Sequence, residues 1–166
     1  MDKICSFFGH RKIINAENLQ KTVSTLVEKL ILEKGYNVFL FGGFGEFDEL
    51  SYQVVSTYQK QYSAIKRVFC LSEEKHLLLR KRPAYLRGKD YEEFIYLPPS
   101  FDYWYTRIYY RNCQMIEKSD CIVFYAEERK DSGAYKALEY AQKRKKEYVN
   151  IATLLKGNTR ACRVYL

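Results

Sequence analysis

Short runs of apolar residues alternate along the chain with longer segments in which apolar positions recur every three or four residues. The runs are Lys3–Phe8, Asn37–Phe41, Arg67–Leu71, Phe94–Leu97, Cys121–Tyr125 and Tyr148–Ile151. Each is too short and too continuous for an amphipathic helix and reads as a strand buried on both faces. Between them, Leu19, Val23, Leu26, Val27, Leu30 and Ile31 share one face of a helix predicted over Ala16–Lys34, with Asn15 as N-cap and Gly35 as stop. Phe47, Leu50, Val54, Val55 and Tyr58 do the same over Glu46–Tyr58. A third helix is expected from about Tyr103 to Lys118, burying Tyr105, Ile108, Tyr109, Met115 and Ile116, with Asn112 on the same stripe. The fourth, Ser132–Lys145, carries a small-residue face of Ala134, Ala137, Leu138 and Ala141. Strands alternating with helices predict one α/β domain over residues 1–166: a doubly wound, mainly parallel sheet of about six strands with helices on both faces.

Two stretches resist this reading. Ser72–Glu93 is irregular and basic, with Arg80-Lys81-Arg82-Pro83 and Arg87-Gly88-Lys89, and the tail Ala152–Leu166 is assigned no place. Composition adds further constraints. The 166 residues are 47% hydrophobic, which suits a folded core, and no apolar run reaches the roughly 18 residues that span a bilayer. Five scattered cysteines (Cys5, Cys70, Cys113, Cys121, Cys162) read as reduced core filler, and with no secretory pattern at the N-terminus a cytoplasmic protein is expected. With His10 and His76 the only histidines, no metal site is expected. A net charge of +8 favours anionic partners.

In a doubly wound sheet, ligands bind beyond the carboxyl ends of the strands. Three turns at such ends are chemically specialised: Gly9-His10-Arg11, Gly42-Gly43-Phe44-Gly45, and Asp131-Ser132-Gly133-Ala134. Glycines permit sharp turns and close approach, and helix N-termini offer unpaired N–H groups to a phosphate. The strict dinucleotide fingerprint G-x-G-x-x-G is absent. Arg11 suits a bidentate phosphate clamp, and His10 suits a ribose hydrogen bond, acid–base chemistry or loop backbone. Asp48 is a poor phosphate contact, since a carboxylate at about 4 Å would cost on the order of 4 kcal/mol. Ribose hydroxyls or a place in the first helical turn fit it equally. Glu46 carries the same ambiguity. Arg111 is assigned either to ligand or to a local ion pair, and Asn112 to a neighbouring loop. Ser132 is an N-cap that a phosphate can share, Glu139 is a surface residue, and Lys143-Arg144-Lys145-Lys146 reads as solvated surface.

Taken in order, Phe8-Gly9-His10-Arg11, Gly42-Gly43-x-Gly45-x-x-Asp48, Arg111-Asn112-x-x-Met115-x-x-x-Ser119-Asp120 and Ser132-Gly133 before Glu139-Tyr140-Ala141 resemble the YpsA-like branch of the SLOG superfamily. The resemblance runs from Lys3 to Ile151. It implies a Rossmann-like fold, akin to the Lonely Guy phosphoribohydrolases and to the core of DNA-processing protein A. It also implies a nucleotide-derived ligand of the NAD or ADP-ribose kind, in some relatives as a sensor. The phosphoribohydrolase loop of two glycines, a spacer and Gly-Thr before glutamate is shorter here, Ser132-Gly133-Ala134-Tyr135, which argues against an intact hydrolase.

The leading expectation is a small-nucleotide binding protein that requires no cofactor, its ligand held by Gly9, His10, Arg11, Gly42, Gly43, Gly45, Asp48, Arg111, Asn112, Ser132 and Gly133. One alternative is a nucleotide N-glycosidic hydrolase or transferase, with Asp48 or Glu46 as the assisting carboxylate. Another is a single-stranded nucleic-acid binding module, favoured by the charge and the 16 tyrosines. A homo-oligomer is left open.

Overall fold

The computed structural model describes residues 1–74, 86, 88–98, 106–129 and 131–157. Among them the elements run β1 (Ile4–Gly9), α1 (Ala16–Leu32), β2 (Val38–Phe41), α2 (Glu46–Gln61), β3 (Lys66–Leu71), β4 (Glu93–Tyr96), α3 (Arg107–Lys118), β5 (Cys121–Tyr125), α4 (Gly133–Lys143), β6 (Glu147–Asn150) and α5 (Ile151–Leu155). The six strands form one sheet in the order β4-β3-β2-β1-β5-β6, with every pair parallel.

Both faces of the sheet are buried, which explains the continuous apolar runs. On one face Phe7, Phe39, Phe41, Phe69, Val123 and Val149 pack with Leu19, Val23, Val27, Phe47 and Val55 of α1 and α2 and with Ile151 of α5. On the other, Phe8, Leu40, Val68, Cys70, Ile122 and Phe124 meet Met115 and Ile116 of α3 and Ala137, Leu138 and Ala141 of α4. Successive strand residues alternate between these clusters, as a pleat of period two requires. The fold is the α/β Rossmann-like class expected.

Several boundaries differ from expectation. The sixth strand stops at Asn150, whose side chain accepts from Ala152 N–H at 3.3 Å and caps α5, so Ile151 begins a helix and residues 151–157 acquire a place. The remainder of the tail, like Tyr105 and most of the basic stretch 80–87, lies outside the described residues. In α3 the expected stripe is rotated. Ile108 and Tyr109 are exposed, Asn112 is half-buried, and the buried positions are Arg111, Cys113, Met115 and Ile116. An arginine takes the inward place because its polar atoms find backbone partners there.

Strand order fixes where a site can form. The chain builds outward from β1 through β4, then returns to lay β5 on the other side of β1. That reversal is a topological switch point, where the connections leaving adjacent strands diverge and open a crevice. The turns after β2 and β5 therefore flank the end of β1.

Candidate functional site

A cleft of about 790 Å³ lies at these strand ends, within the usual size of a small-molecule site. It draws residues from all three specialised turns and from α3. Of the expected ligand residues, Gly9, His10, Arg11, Gly42, Asp48, Arg111, Asn112, Ser132 and Gly133 line it. Gly43, Gly45 and Glu46 do not. The sequence reading missed Lys12, Phe44, Ile108, Arg129 and Asp131, which also line it. Phe44 was legible as the residue between two of the loop's glycines, and Asp131 as the neighbour of Ser132. Nothing in the spacing marked Ile108 as facing outward. Among the lining side chains Arg11, Lys12, Arg111 and Arg129 outnumber Asp48 and Asp131, so the cleft favours anions.

The glycine loop uses its conformational freedom mainly on its own chain. A Cβ on Gly42 would lie 2.7 Å from an Arg111 guanidinium nitrogen. A Cβ on Gly9 would lie 2.3 Å from the buried ring of Phe47. Gly45, at φ 97°, sits with its own Cβ position 2.7 Å from Arg11 Cα. These close approaches account for three of the motif glycines by internal packing.

Arg111, 3% exposed, clamps this corner. It donates through one terminal nitrogen to the carbonyls of Gly42 (2.8 Å) and Cys70 (3.2 Å), tying the ends of β2 and β3 together. Its Nε and other terminal nitrogen donate to Asn112 Oδ1. The guanidinium also lies 5.5 Å from the centroid of the Phe44 ring. The sequence reading gave loop fixing to Asn112; Arg111 performs it and Asn112 supports the arginine.

Asp48 is at the third position of α2 and turns back toward the loop. Its Oδ1 accepts from Gly42 N–H at 3.2 Å, while Oδ2 is buried with no hydrogen-bond partner among the described residues. Burial pushes its pKa up, opposed by hydrogen bonds from Gly43 and Gly42 and by the charge of Arg111. The Gly42 N–H that the sequence offered to a phosphate is thus already donated to a carboxylate. With Glu46, Asp48 and Glu49 in its first turn, the start of α2 repels a further anion. Glu46 is likewise engaged: one oxygen accepts from Lys12 Nζ (2.7 Å) and the other from Ile13 N–H (2.9 Å). It fastens the β1–α1 connection to α2.

The other side of the crevice differs. His10, 6% exposed, accepts at Nε2 from Glu127 N–H (2.7 Å) and bonds through Nδ1 to Ser132 Oγ (3.1 Å). A backbone N–H can only donate, so Nε2 carries no proton and Nδ1–H is the donor to Ser132. Burial and the charge of Arg129 lower the His10 pKa, with Glu127 opposing, which keeps the ring neutral. Ser132 Oγ also accepts from Tyr135 N–H (3.2 Å), capping α4. With two donors already directed at this oxygen, the Ser132 hydroxyl proton is left to donate elsewhere. Gly133 and Ala134 follow at the first helical positions, where N–H groups have no intrahelical partner, and a Cβ on Gly133 would meet no atom within 4 Å. No acidic residue stands in this first turn. Arg11 is exposed and lines the same cleft.

This architecture is found in known proteins. Over 97% of its length the chain superposes on 54% of DNA processing protein A from Streptococcus pneumoniae, with a TM-score of 0.62 and 16% sequence identity. It therefore spans about half of that protein's length. It also matches the molybdenum cofactor carrier protein of Chlamydomonas reinhardtii (TM-score 0.54, 15% identity, 95% of this chain and 86% of that one). A third match is the structural-genomics target TM1055 (TM-score 0.56, 19% identity, 99% and 82%). At identities of 15–19% the likeness to all three is one of fold, and it agrees with the α/β Rossmann-like architecture described above. No family model and no curated protein matches the sequence.

Proposed function

We propose that the strand-end cleft binds a small nucleotide-derived ligand of the NAD or ADP-ribose class, with a phosphate seated at the start of α4. The observation that carries this reading is the asymmetry between the two helix starts bordering the crevice. At α2 the loop N–H is bonded to Asp48 and three acidic residues crowd the first turn. At α4 the first turn has no acid, and the Ser132 hydroxyl with the N–H groups of Gly133 and Ala134 forms a donor set in the cleft that Arg11 also lines. Helix dipole, neutral donors and a guanidinium together suit a phosphate. In this reading Asp48, Arg111 and Asn112 hold the cleft's shape, and Arg11, Ser132 and Gly133 meet the ligand.

Binding is favoured over N-glycosidic hydrolysis or transfer. Both Glu46 oxygens are engaged, and Asp48 Oδ2, with no hydrogen-bond partner among the described residues, is closed to solvent. The His10–Ser132 pair does not form a nucleophile and base, because the histidine nitrogen facing the serine holds a proton.

Thermal unfolding with ADP-ribose or NAD tests the proposal. Ligand at about 100 times its dissociation constant adds roughly 2.7 kcal/mol, which for a chain of this size is a rise in Tm of about 5–10 °C. Arg11→Gln, at an exposed position, should keep the unliganded Tm and lose most of that rise. A well-folded wild type unmoved by a nucleotide panel at millimolar concentration removes the reading. A second reading, single-stranded nucleic acid, rests on the net charge of +8 and on the fold shared with a DNA processing protein. It requires oligonucleotide affinity that falls steeply with salt.

A further inference from the structure

The phosphate donors account for one side of the cleft. On the other side one amide divides its two polar atoms between two tasks. Asn112 is half-buried on α3 and lines the cleft. Its Oδ1 accepts from Arg111 Nε at 3.2 Å and from a terminal guanidinium nitrogen at 3.0 Å. A guanidinium has donors only, so the amide is turned with its oxygen to the arginine and its nitrogen away. Arg111 is itself pinned by the carbonyls of Gly42 and Cys70, which holds the amide in that orientation. Among the described residues Nδ2 donates to nothing, and it is not sealed from solvent. Two N–H groups of fixed direction are therefore left without a protein acceptor. Ile108, four residues earlier on the same helix and 40% exposed, adds an apolar surface to the same cleft.

We infer that the Asn112 amide nitrogen reads a carbonyl on the base of the bound nucleotide, so that the cleft prefers an oxo or carboxamide group at that edge over an amino group. This preference rests on the phosphate reading above and supplies the ligand's other end. Arg111 fastens Asn112 to the end of β2, and β2 and β5 lie on either side of β1. The ends of β2 and β5 are about two strand spacings apart, on the order of 10 Å. A nucleoside 5′-phosphate spans a comparable reach from phosphate to the far edge of its base. Reading adenine with an asparagine uses both atoms of the amide, one accepting from the amino group and one donating to the ring nitrogen. Here the oxygen is spent on Arg111, so the amide can only donate. A carbonyl satisfies it, whereas an amino group sets donor against donor and leaves polar groups unpaired. Hypoxanthine and guanine carry such a carbonyl among the purines, and in the NAD class the nicotinamide carboxamide does.

Calorimetric titration with IMP and AMP, which differ only in the oxo or amino group of the purine, decides the matter. Wild type should bind IMP about tenfold more tightly than AMP, as expected when a buried donor is left unpaired by the weaker ligand. Asn112→Asp keeps an oxygen for Arg111 and replaces the donors with an acceptor, so it should reverse the preference in favour of AMP. The added charge repels both phosphates alike, and the ratio of the two affinities is therefore the readout. Arg11→Gln should weaken both probes and leave their ratio as in wild type. NMN bound as tightly as IMP assigns the carbonyl to a nicotinamide carboxamide, and NMN bound only as weakly as AMP assigns it to an oxo base. The unliganded Tm of Asn112→Asp, expected within a few degrees of wild type, confirms folding, and the wild-type ratio decides alone if that variant does not fold. Equal binding of IMP and AMP by wild type, or an unchanged ratio in folded Asn112→Asp, overturns the inference and leaves the phosphate reading standing if Arg11→Gln still weakens both. Failure of every probe to bind overturns both readings.

Discussion

If Gly42 is glycine because Arg111 lies against it, then the cost of a side chain there should vanish when the arginine is removed. The φ of Gly42 is outside the left-handed region, so alanine meets no backbone strain at this position. Its Cβ would lie 2.7, 3.0 and 3.3 Å from three guanidinium atoms of Arg111. Arg111 would have to withdraw, weakening its bonds to the carbonyls of Gly42 and Cys70. Hydrogen bonds to a charged group contribute about 1.5–3 kcal/mol each. Partial loss of two gives an expected cost for Gly42→Ala of about 2–4 kcal/mol, or a fall in Tm of roughly 5–15 °C. With Arg111→Met in place the Cβ has no guanidinium to displace. There the same Gly42→Ala change should be neutral or stabilising by about 0.4–1 kcal/mol, since it restricts the unfolded chain. Urea unfolding followed by circular dichroism, on wild type, both single variants and the double, yields the coupling energy directly. Equal costs of Gly42→Ala in the two backgrounds would falsify this account and return the glycine to a role in ligand approach.

Two further outcomes follow from the buried polar groups. Asp48→Asn keeps an oxygen for Gly42 N–H and removes a charge that burial disfavours, so it should change stability by under about 1 kcal/mol. Asp48→Ala leaves that N–H unpaired and should cost about 1–3 kcal/mol; indistinguishable urea midpoints for the two variants would contradict the loop-fixing role. For His10 the folded pKa is depressed below its ordinary 6.5, so the unfolded chain takes up the proton first. Its contribution is present above pH 6.5 and is lost as pH falls from there toward the folded value, because protonation removes the acceptor for Glu127 N–H. Wild-type urea midpoints should decline more steeply between pH 7.5 and 5.5 than those of His10→Gln; parallel profiles would count against the neutral, Nδ1-protonated ring.

Much of this molecule is decided locally. Apolar runs that are continuous in the strands and periodic in α1, α2 and α4 require a two-sided sheet whatever its strand order, because each pattern can bury its surface only one way. Asn15 before α1 and Ser132 before α4 were readable as caps, since capping depends on residues within one turn. The three specialised turns were readable for the same reason. Tertiary structure decided which of them have donors to spare. Arg111 turned inward because its partners, Gly42 and Cys70, lie 69 and 41 residues away and become neighbours only when β2 and β3 pair. Gly9 makes room for Phe47, a contact between two elements that no spacing encodes. His10 meets Glu127 and Ser132 across more than a hundred residues because β5 returns to pair with β1. An acid at the third position of α2 was a local hint that the loop N–H groups would be used internally. Whether a helix start remains available to an anion depends on every group that folding brings to it, and that sum exists only in three dimensions.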